Sequence, residues 1–349
     1  MSSDLARPTT RVPTLQDVAT VAGVSPATVS RVINNIRNVD PALHAVVMNA
    51  VQQTGYIANR TARSLVTRRA GLMALIVSEA EKRDADDPFM SRFFSDPFFG
   101  RVVGGMLGAL SPSAVHQSLL LAGSDHTRAG IVSSLRQGQL DGVAVISLHP
   151  GDHFPQMLAD AGVPAVLYGR PATAMPLSFV EVDNALGARL AADQLVARGC
   201  RRIATIAGSL DMPAGADRLE AFRAAMAAHG HRDVPYTEGG FTHAGGAAAM
   251  RALLAAHPDI DGVFVASDVM AQGAMPVLRE HGRDVPTDVA VIGFDDSSAA
   301  LACWPPLTTI RQPLEDMAAD MGRMLLAAET DNDVTSKLFE PTLVVRGSA

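Results

Sequence analysis

The chain has 349 residues, of which 48% are hydrophobic and 19% charged, a composition typical of a globular protein with two or three domains. No apolar run reaches the roughly 18–20 residues that cross a bilayer, and the first residues contain no apolar stretch typical of a secretory signal. We therefore expect a cytoplasmic protein without a membrane partner. The two cysteines, Cys200 and Cys303, are far apart in the sequence, which favours reduced thiols over a disulfide or a metal site.

Charge is unevenly distributed along the chain. The net charge is −7, but residues 1–69 contain eight Arg and three Asp, which gives this segment +5 and the remainder −12. A small basic segment ahead of a large acidic one indicates a nucleic-acid-binding module attached to a body with another role.

Two helical patterns open the basic segment, in TLQDVATVAGVSPATVSRVINN. Thr14 with Asp17 three residues later is typical of a capping box, and apolar residues then recur at helical spacing until Gly23. Ser25 followed by Pro26 predicts the cap and first residue of a second helix. One face of that helix is apolar, and the other carries small or polar side chains: Ala27, Thr28, Ser30, Arg31 and Asn34.

A third helix and a short basic segment follow. Asp40-Pro41 predicts a helix start, and an apolar stripe continues to Gly55. Three short helices with a tight first turn are typical of a helix-turn-helix DNA-binding unit, although an ordinary three-helix bundle with a solvated polar face has the same spacing. The next stretch, GYIANRTARSLVTRR, has a cap residue at Asn59 and a helical pattern too short to be stable alone. We expect it to become ordered on DNA or on a partner chain.

From Leu72 the pattern predicts an α/β body. Seven apolar runs are typical of buried strands: LMALIVSE, QSLLLAG, DGVAVISL, PAVLYGR, RRIATIAG, DGVFVASD and DVAVIGFDD. Helical stretches such as Gly187–Arg198 and Met270–His281 separate them. We therefore expect parallel sheets covered on both faces, with seven or more strands in two sheets. Neither a GxGxxG after the first strand nor a Walker sequence occurs, so nothing supports a nucleotide-dependent enzyme.

Five blocks of the sequence carry a family resemblance. TLQDVATVAGVSPATVSRVIN, GYIANRTARSL, ASDVMAQGAM, DVAVIGFDD and PPLTTIRQP occur in this order, and together they resemble the LacI/GalR family of bacterial transcription repressors. The resemblance extends from Thr14 to Arg346. It implies a helix-turn-helix headpiece (1–57), a hinge helix (58–69) and a periplasmic-binding-protein-like body (70–349) of two parallel-sheet subdomains joined by three crossovers. The subdomains are expected at about 70–182 plus 314–341 and at about 183–313 plus 342–349.

The resemblance implies that the second helix enters the major groove. Pro26 and Ala27 match positions that face base edges, and Arg31 matches an arginine that reads a base, for which bidentate pairing with guanine is the physical basis. The short side chains of Pro26 and Ala27 indicate apolar contact and leave the operator sequence open. Positions that match contacts or approaches to the phosphate backbone are Leu15, Ser25, Thr28, Ser30 and Asn34.

The resemblance also implies a second contact with DNA, in the minor groove. Leu65 matches the hinge-helix leucine that wedges into a central pyrimidine–purine step, where unstacking is easiest. Asn59, Ala62 and Arg63 match hinge residues near that groove. Two hinge helices act side by side, so a homodimer on a near-palindromic operator is implied. Because the sequence given ends in LVVRGSA without a leucine-heptad tail, we expect a dimer rather than a tetramer.

In the body, the resemblance implies a small-molecule effector in the cleft at the carboxyl ends of the strands. Arg218 matches a ligand-clamping arginine, whose fork binds vicinal hydroxyls or a carboxylate. Asp295 matches an acidic residue that accepts from sugar hydroxyls. A surface position for Arg218 and a structural turn role for Asp295 are the alternatives, and Asp296 is expected to fill the turn role. The other matching positions are Phe98, Phe99, Phe241 and Ser267, and Ser147 and Arg170 are further candidates because they follow strand ends.

Some of these positions have a structural alternative. Phe98, Phe99 and Phe241 are also compatible with simple core packing. Asp268, next to Ser267, is expected to cap the helix that follows it. The charged segment Glu81–Ser95 is expected to be a solvated loop that ends beside the cleft.

Arg218, Asp295 and Phe241 together favour a polyhydroxylated ring, a sugar or short oligosaccharide, over a purine. The predicted function is a sequence-specific repressor of sugar-utilisation genes that its effector releases from the operator. The alternatives are a purine- or nucleoside-dependent regulator and a solute-binding protein without a role on DNA. The ten histidines form no HExxH, and no G-x-S-x-G or Ser-His-Asp ordering occurs, so we expect neither an enzyme nor a cofactor.

Overall fold

The structure, a computed structural model, describes residues 13–33, 39–56, 69–78, 96–113, 115–147, 151–328 and 334–349. The chain divides into two compact units, Met1–Gly71 and Leu72–Ala349. Among the described residues, no helix is long and apolar enough to cross a membrane. Within the same ranges, no group of His, Cys, Asp or Glu is arranged to hold a metal ion.

The described residues of the first unit form three short helices: α1 (Leu15–Ala22), α2 (Pro26–Ile33) and α3 (Pro41–Thr54). The predicted capping box is confirmed, because the Thr14 side chain accepts from the N–H of Asp17 while the Asp17 carboxylate accepts from the N–H of Thr14 at 2.7 Å. Gly23 ends α1 with a φ of 66°, a conformation that favours glycine. The three helices share a small buried core of Val18, Ala19, Val29, Val32, Val47 and Ala50.

The second unit alternates strands and helices. In chain order, its described elements are β1 (Leu72–Ser78), α4 (Pro97–Leu110), β2 (His116–Ala122), α5 (Asp125–Arg136), β3 (Gly142–Ser147), α6 (Phe154–Ala161), β4 (Ala165–Tyr168), β5 (Ser178–Val182), α7 (Asn184–Ala197), β6 (Ile203–Ala207), α8 (Pro213–Ala228), β7 (Tyr236–Glu238), α9 (His243–Ala256), β8 (Gly262–Val265), α10 (Asp268–Glu280), β9 (Ala290–Asp295), α11 (Ser298–Ala302), β10 (Thr308–Arg311), α12 (Leu314–Ala327), β11 (Ser336–Phe339) and β12 (Thr342–Val344).

The strands form two six-stranded sheets, as the α/β prediction with two sheets requires. The first has the order β11-β5-β4-β3-β1-β2 and the second β12-β10-β9-β8-β6-β7. Among the described strands, all pairs are parallel except β10 with β12. The seven predicted strands are confirmed. The sequence did not single out β5, β7, β10, β11 and β12, which are short, and most of which are partly exposed.

Alternating side chains of the first sheet enter two cores. Leu75 and Val77 of β1 pack into the cluster that contains residues of α4 and α12. Ala74 and Ile76 enter the cluster on the opposite face, with residues of α5 and α6. Burial on both faces explains why β1 is a continuous apolar run rather than an alternating one.

The chain passes between the two sheets after β5, after β10 and between β11 and β12. Helix α7, which follows the first crossing, contacts β8, β9, β10 and β12 of the second sheet, whereas α12 returns to β3, β4 and β5 of the first. Helix α4 packs closely on α12, since a Cβ added to Gly105 would lie 2.4 Å from the carbonyl oxygen of Glu315. These crossings place residues from both sheets around one set of strand ends.

Candidate functional sites

Helix α2 of the first unit presents a polar face away from its core. Val29 and Val32 are buried, while Pro26, Ala27 and Arg31 are exposed. The predicted cap at the start of α2 is confirmed, because the Ser25 hydroxyl accepts from the N–H of Thr28 at 3.1 Å. Capping fixes where the helix begins and therefore which side chains its first turn presents.

The predicted DNA-contacting residues divide into three groups. Ser25, Pro26, Ala27 and Arg31 are exposed on or beside α2, and Thr28 and Ser30 are half-buried. Leu15 is half-buried against the headpiece core, so packing accounts for part of its role. Five predicted residues lie outside the described ranges: Asn34, Asn59, Ala62, Arg63 and Leu65. The segment Glu81–Ser95 lies outside them as well.

In the second unit, Arg218 of α8 is a buried cation, only 5% exposed. Its Nε donates to Oδ1 of Asn184 at 2.8 Å and its Nη1 donates to the carbonyl oxygen of Ala266 at 2.7 Å. The guanidinium carbon lies 3.6 Å from the centre of the Phe294 ring, a cation–π geometry. Burial lowers the pKa of the guanidinium, and the Asp295 carboxylate, 4.0 Å away, opposes that change. The alternative of a surface arginine is therefore wrong.

Asp295 ends β9 beside this cation. Its backbone has a φ of 118°, a strained conformation for a residue other than glycine. The Nε2 of Gln312 donates to Oδ1 of Asp295 at 2.5 Å. Burial raises the pKa of the carboxyl to about 7, although the charge of Arg218 acts in the opposite direction. The group can therefore change its charge near neutral pH.

Gln312 joins the strand ends of the two sheets. Its side chain bonds Asp295 of β9, and its Oε1 accepts from the hydroxyl of Tyr168, the last residue of β4, at 3.2 Å. Burial raises the pKa of the Tyr168 hydroxyl, which stays a neutral donor. The Phe98 ring packs edge-on against Tyr168 with 5.1 Å between ring centres. Phe99 belongs to the hydrophobic core, so the core-packing alternative holds for that residue.

A second cation, Arg101 of α4, reaches from the first sheet to the strand ends of the second. It forms a bidentate ion pair with Glu315 at 2.6 and 2.7 Å. Its Nη1 donates to the carbonyl oxygens of Asp295 at 2.8 Å and of Asp296 at 3.4 Å, and its Nη2 donates to that of Gln312 at 3.2 Å. One guanidinium thus binds the ends of β9 and β10, and the first turn of α12 anchors it.

Arg170 follows β4 of the first sheet, and Ser147 is the last residue of β3. Arg170 is a partly exposed ion-pair partner whose Nη2 donates to Asp217 of α8 at 2.7 Å, with Glu181 at 3.5 Å from its Nε. Burial raises the pKa of Glu181, and Arg170 opposes that change. The Ser147 hydroxyl donates to Asp152 at 2.8 Å. Arg170 therefore links the two halves of the body, one built on the first sheet and the other on the second. The described contact of Ser147 is local.

Ser267, not Asp268, caps α10. The Ser267 hydroxyl accepts from the N–H of Met270 at 3.3 Å, so the expectation that Asp268 caps this helix is wrong. Asp268 points inward instead, where its carboxylate accepts from the N–H of Ser297 at 2.7 Å and from the hydroxyl of Thr309 at 2.6 Å. Burial raises its pKa. This carboxylate connects Thr309 of β10 with the turn after β9.

Asp296 has the structural role that the sequence predicts for it. Its carboxylate pairs with Arg311 at 2.6 Å and with Arg346. Burial acts to raise its pKa, but the hydrogen bonds from the two arginines outweigh burial and lower it. Asp296 therefore stays ionised in a turn, which separates its role from that of Asp295.

Phe241 follows β7 in a conformation with φ of 57°. A Cβ added to Gly208 would lie 2.0 Å from its ring, so the ring lies directly over the end of β6. Its centre is 5.9 Å from the guanidinium carbon of Arg218. An aromatic ring, a buried guanidinium and a titratable carboxylate are therefore grouped at the strand ends, a combination suited to a ring with several hydroxyls.

Several residues of this group were not predicted from the sequence. They are Arg101, Tyr168, Asn184, Asp217 and Gln312. Gln312 directly follows a strand within the PPLTTIRQP block. Its position at a strand end could have marked it as a site candidate. The contacts of Arg101 and Asn184 join residues 214 and 34 positions apart, and periodicity carries no information at such separations.

Comparisons with known proteins match both units. The family model described as "Bacterial regulatory proteins, lacI family" matches residues 14–59, and that described as "Periplasmic binding protein-like domain" matches residues 192–349. The HTH-type transcriptional regulator CelR of Thermobifida fusca is 43% identical over 342 residues, 96% of either chain. The HTH-type transcriptional regulator GalR of Escherichia coli K12 is 31% identical over 349 residues, 96% of this chain and 95% of GalR.

Solved structures agree with these matches. A complex of the transcriptional regulator CelR with cellobiose superposes with a TM-score of 0.74 at 41% identity, covering 97% of this chain and 100% of the other. A lac repressor dimer bound to operator and the anti-inducer ONPF gives a TM-score of 0.80 at 25% identity, covering 97% and 99%. The likeness therefore includes the DNA-contacting unit and the body together.

Proposed function

Since the chain belongs to the LacI family of bacterial regulatory proteins, we propose that it is a transcriptional repressor that a sugar effector releases from its operator. The observation that carries this proposal is the relation to CelR at 43% identity across both units, combined with the buried group of Arg218 and Asp295 at the strand ends. CelR was solved with cellobiose, so a β-linked disaccharide of this kind is the first effector to test.

On the DNA side, α2 supplies the reading surface. Arg31 pairs with a base edge, Pro26 and Ala27 make apolar base contacts, and the hydroxyls near the helix start hold phosphates. The lac repressor structure at 25% identity is a dimer on operator, which supports a homodimer on a near-palindromic site for this chain. The minor-groove wedge at Leu65 is part of the same proposal, as is the division into headpiece, hinge and two body subdomains.

On the effector side, Arg218 donates to ring hydroxyls and Asp295 accepts from them, while Phe241 covers a ring face. The bonds of Arg218 to Asn184 and Ala266 use its Nε and one Nη1 donor, and a guanidinium has further N–H donors for a ligand. Binding between the two halves changes their relative arrangement and shifts the population away from the operator-binding state. The proposal includes no catalytic step, and it places the protein in the cytoplasm, where its operator is.

The experiment is a thermal-shift panel followed by an operator-binding assay. The panel contains cellobiose, other disaccharides, monosaccharides and purine bases, and operator is selected from a random duplex pool with the wild-type protein. We expect cellobiose or a related sugar to raise the melting temperature and to weaken operator binding at constant salt. Stabilisation by a purine and by no sugar would contradict the proposal.

A further inference from the structure

The backbone of Asp295, the residue proposed to read the effector, accepts a hydrogen bond from Arg101, which belongs to the half of the body built on the first sheet. Arg101 lies on α4, which packs on α12, and both helices cover the first sheet. Three carbonyl oxygens that accept from its guanidinium belong to Asp295, Asp296 and Gln312. These residues end β9 or follow β9 and β10 of the second sheet.

The guanidinium is anchored on α12 by an ion pair. Both carboxylate oxygens of Glu315 bind it, at 2.6 and 2.7 Å, in the bidentate geometry that gives arginine–carboxylate pairs their directionality. Gly105, one turn after Arg101 on α4, allows this close approach, because a Cβ there would lie 2.4 Å from the backbone of Glu315. Any side chain at Gly105 would therefore push α4 away from α12.

The backbone that Arg101 holds is strained. Asp295 and Asp296 have φ values of 118° and 51°, and such conformations persist only where surrounding contacts impose them. The carbonyl oxygens of these two residues both accept from Nη1 of Arg101. A ligand that shifts the backbone at Asp295 would therefore alter its contacts to α4.

We infer that Arg101 is the positioning residue that couples occupancy of the cleft at Asp295 to the first half of the body, and thereby to operator release. This inference rests on the proposed function and adds to it a route for the signal. Arg101 donates to backbone carbonyls and not to the Asp295 carboxylate, so it affects coupling more than effector affinity.

The test compares effector affinity in the presence and absence of operator, because their ratio measures coupling independently of either affinity. The probe is cellobiose, or the sugar of the panel that stabilises the wild type most. For Arg101→Gln, we expect the Kd of the free protein for the sugar to stay within about threefold, while the ratio, which is typically about 5–150 in coupled proteins, falls close to one. Arg101→Lys keeps the charge without the fork and should restore only part of the ratio.

Arg323→Gln is the matched control. Arg323 also pairs with a carboxylate of α12, Asp320, at 2.6 Å, but it makes no described contact with the second sheet, and it should leave coupling at the wild-type value. An unchanged ratio in Arg101→Gln overturns the inference. So does a loss of sugar affinity in the free protein by more than tenfold, because Arg101 would then act on the ligand site itself.

If Arg101→Gln fails to show a cooperative melt, Glu315→Gln carries the test, since it removes the ionic anchor and leaves the arginine in place. Its ratio must fall in the same direction, and a wild-type ratio overturns the inference. Failure of the proposed function is detected separately, with the wild-type protein alone. In that case no sugar of the panel weakens its binding to the operator.

Discussion

Arg218→Lys tests whether the fork at the strand ends binds the effector. Lysine keeps a positive charge near Asp295 but is a single point donor, so it cannot reach Asn184 and Ala266 together as Arg218 does at 2.8 and 2.7 Å. At least one buried acceptor then lacks its donor, which costs about 1–3 kcal/mol of folding free energy. The stacking on Phe294 at 3.6 Å is also lost.

The substitution also weakens effector binding, because the remaining N–H donors of the fork face the ligand in the proposal. A hydrogen bond to a charged group contributes about 1.5–3 kcal/mol, so the Kd for the sugar should rise by roughly 10–150-fold. Operator binding without effector should stay at the wild-type level, since the DNA-contacting surface lies in the other unit. Titration calorimetry measures the first quantity and fluorescence anisotropy with labelled operator the second.

Arg223→Lys is the matched control for this experiment. Arg223 lies on the same helix, is exposed, and stands 5.7 Å from the centre of the Tyr236 ring. The substitution there should leave both affinities unchanged. Wild-type sugar affinity in a folded Arg218→Lys protein would refute the assignment of Arg218 as the clamp.

Three further predictions address the carboxylate, the DNA face and the helix packing. If the ionised form of Asp295, with its pKa of about 7, accepts from the sugar, affinity is highest above that pH and falls by about tenfold from about pH 8 to about pH 6, a dependence that Asp295→Asn should abolish in calorimetric titrations. Arg31→Gln should weaken specific operator binding by about 1–3 kcal/mol, with a smaller loss on unrelated duplex at the same salt, and equal losses on both would argue against base reading. Gly246→Ala, whose Cβ would lie 2.1 Å from the carbonyl oxygen of Met270, should destabilise the body in urea by about 1–3 kcal/mol. Gly108 has open space around it, so Gly108→Ala should stabilise the body by about 0.5–1 kcal/mol. If both substitutions changed the free energy of unfolding in the same direction, the packing argument would be contradicted.

The architecture and most of the local structure follow from sequence patterns. The capping box at Thr14, the αL glycine at Gly23 and the seven apolar strands depend on neighbouring residues, and short-range rules apply to them. Strands such as β7 and β12 escaped prediction because each has three residues, and a partly exposed strand of that length has no distinctive period. The sequence predicts Asp268 instead of Ser267 as the cap of α10, because both residue types cap helices and only the fold shows which one points inward.

The sequence by itself determined the two units and the three headpiece helices, since these depend on composition, spacing and capping residues, and its resemblance to a known family marked Arg218 and Asp295 as site candidates. Only the tertiary structure decided that Arg218 is buried against Phe294, that Phe99 belongs to the core and that Arg101 links the two halves. Burial raises the pKa of Asp295 to about 7, and burial results from elements distant in sequence that meet at the strand ends. Local rules fix what each segment forms, whereas the charge and contacts of the site arise from the crossings of the chain between the two sheets.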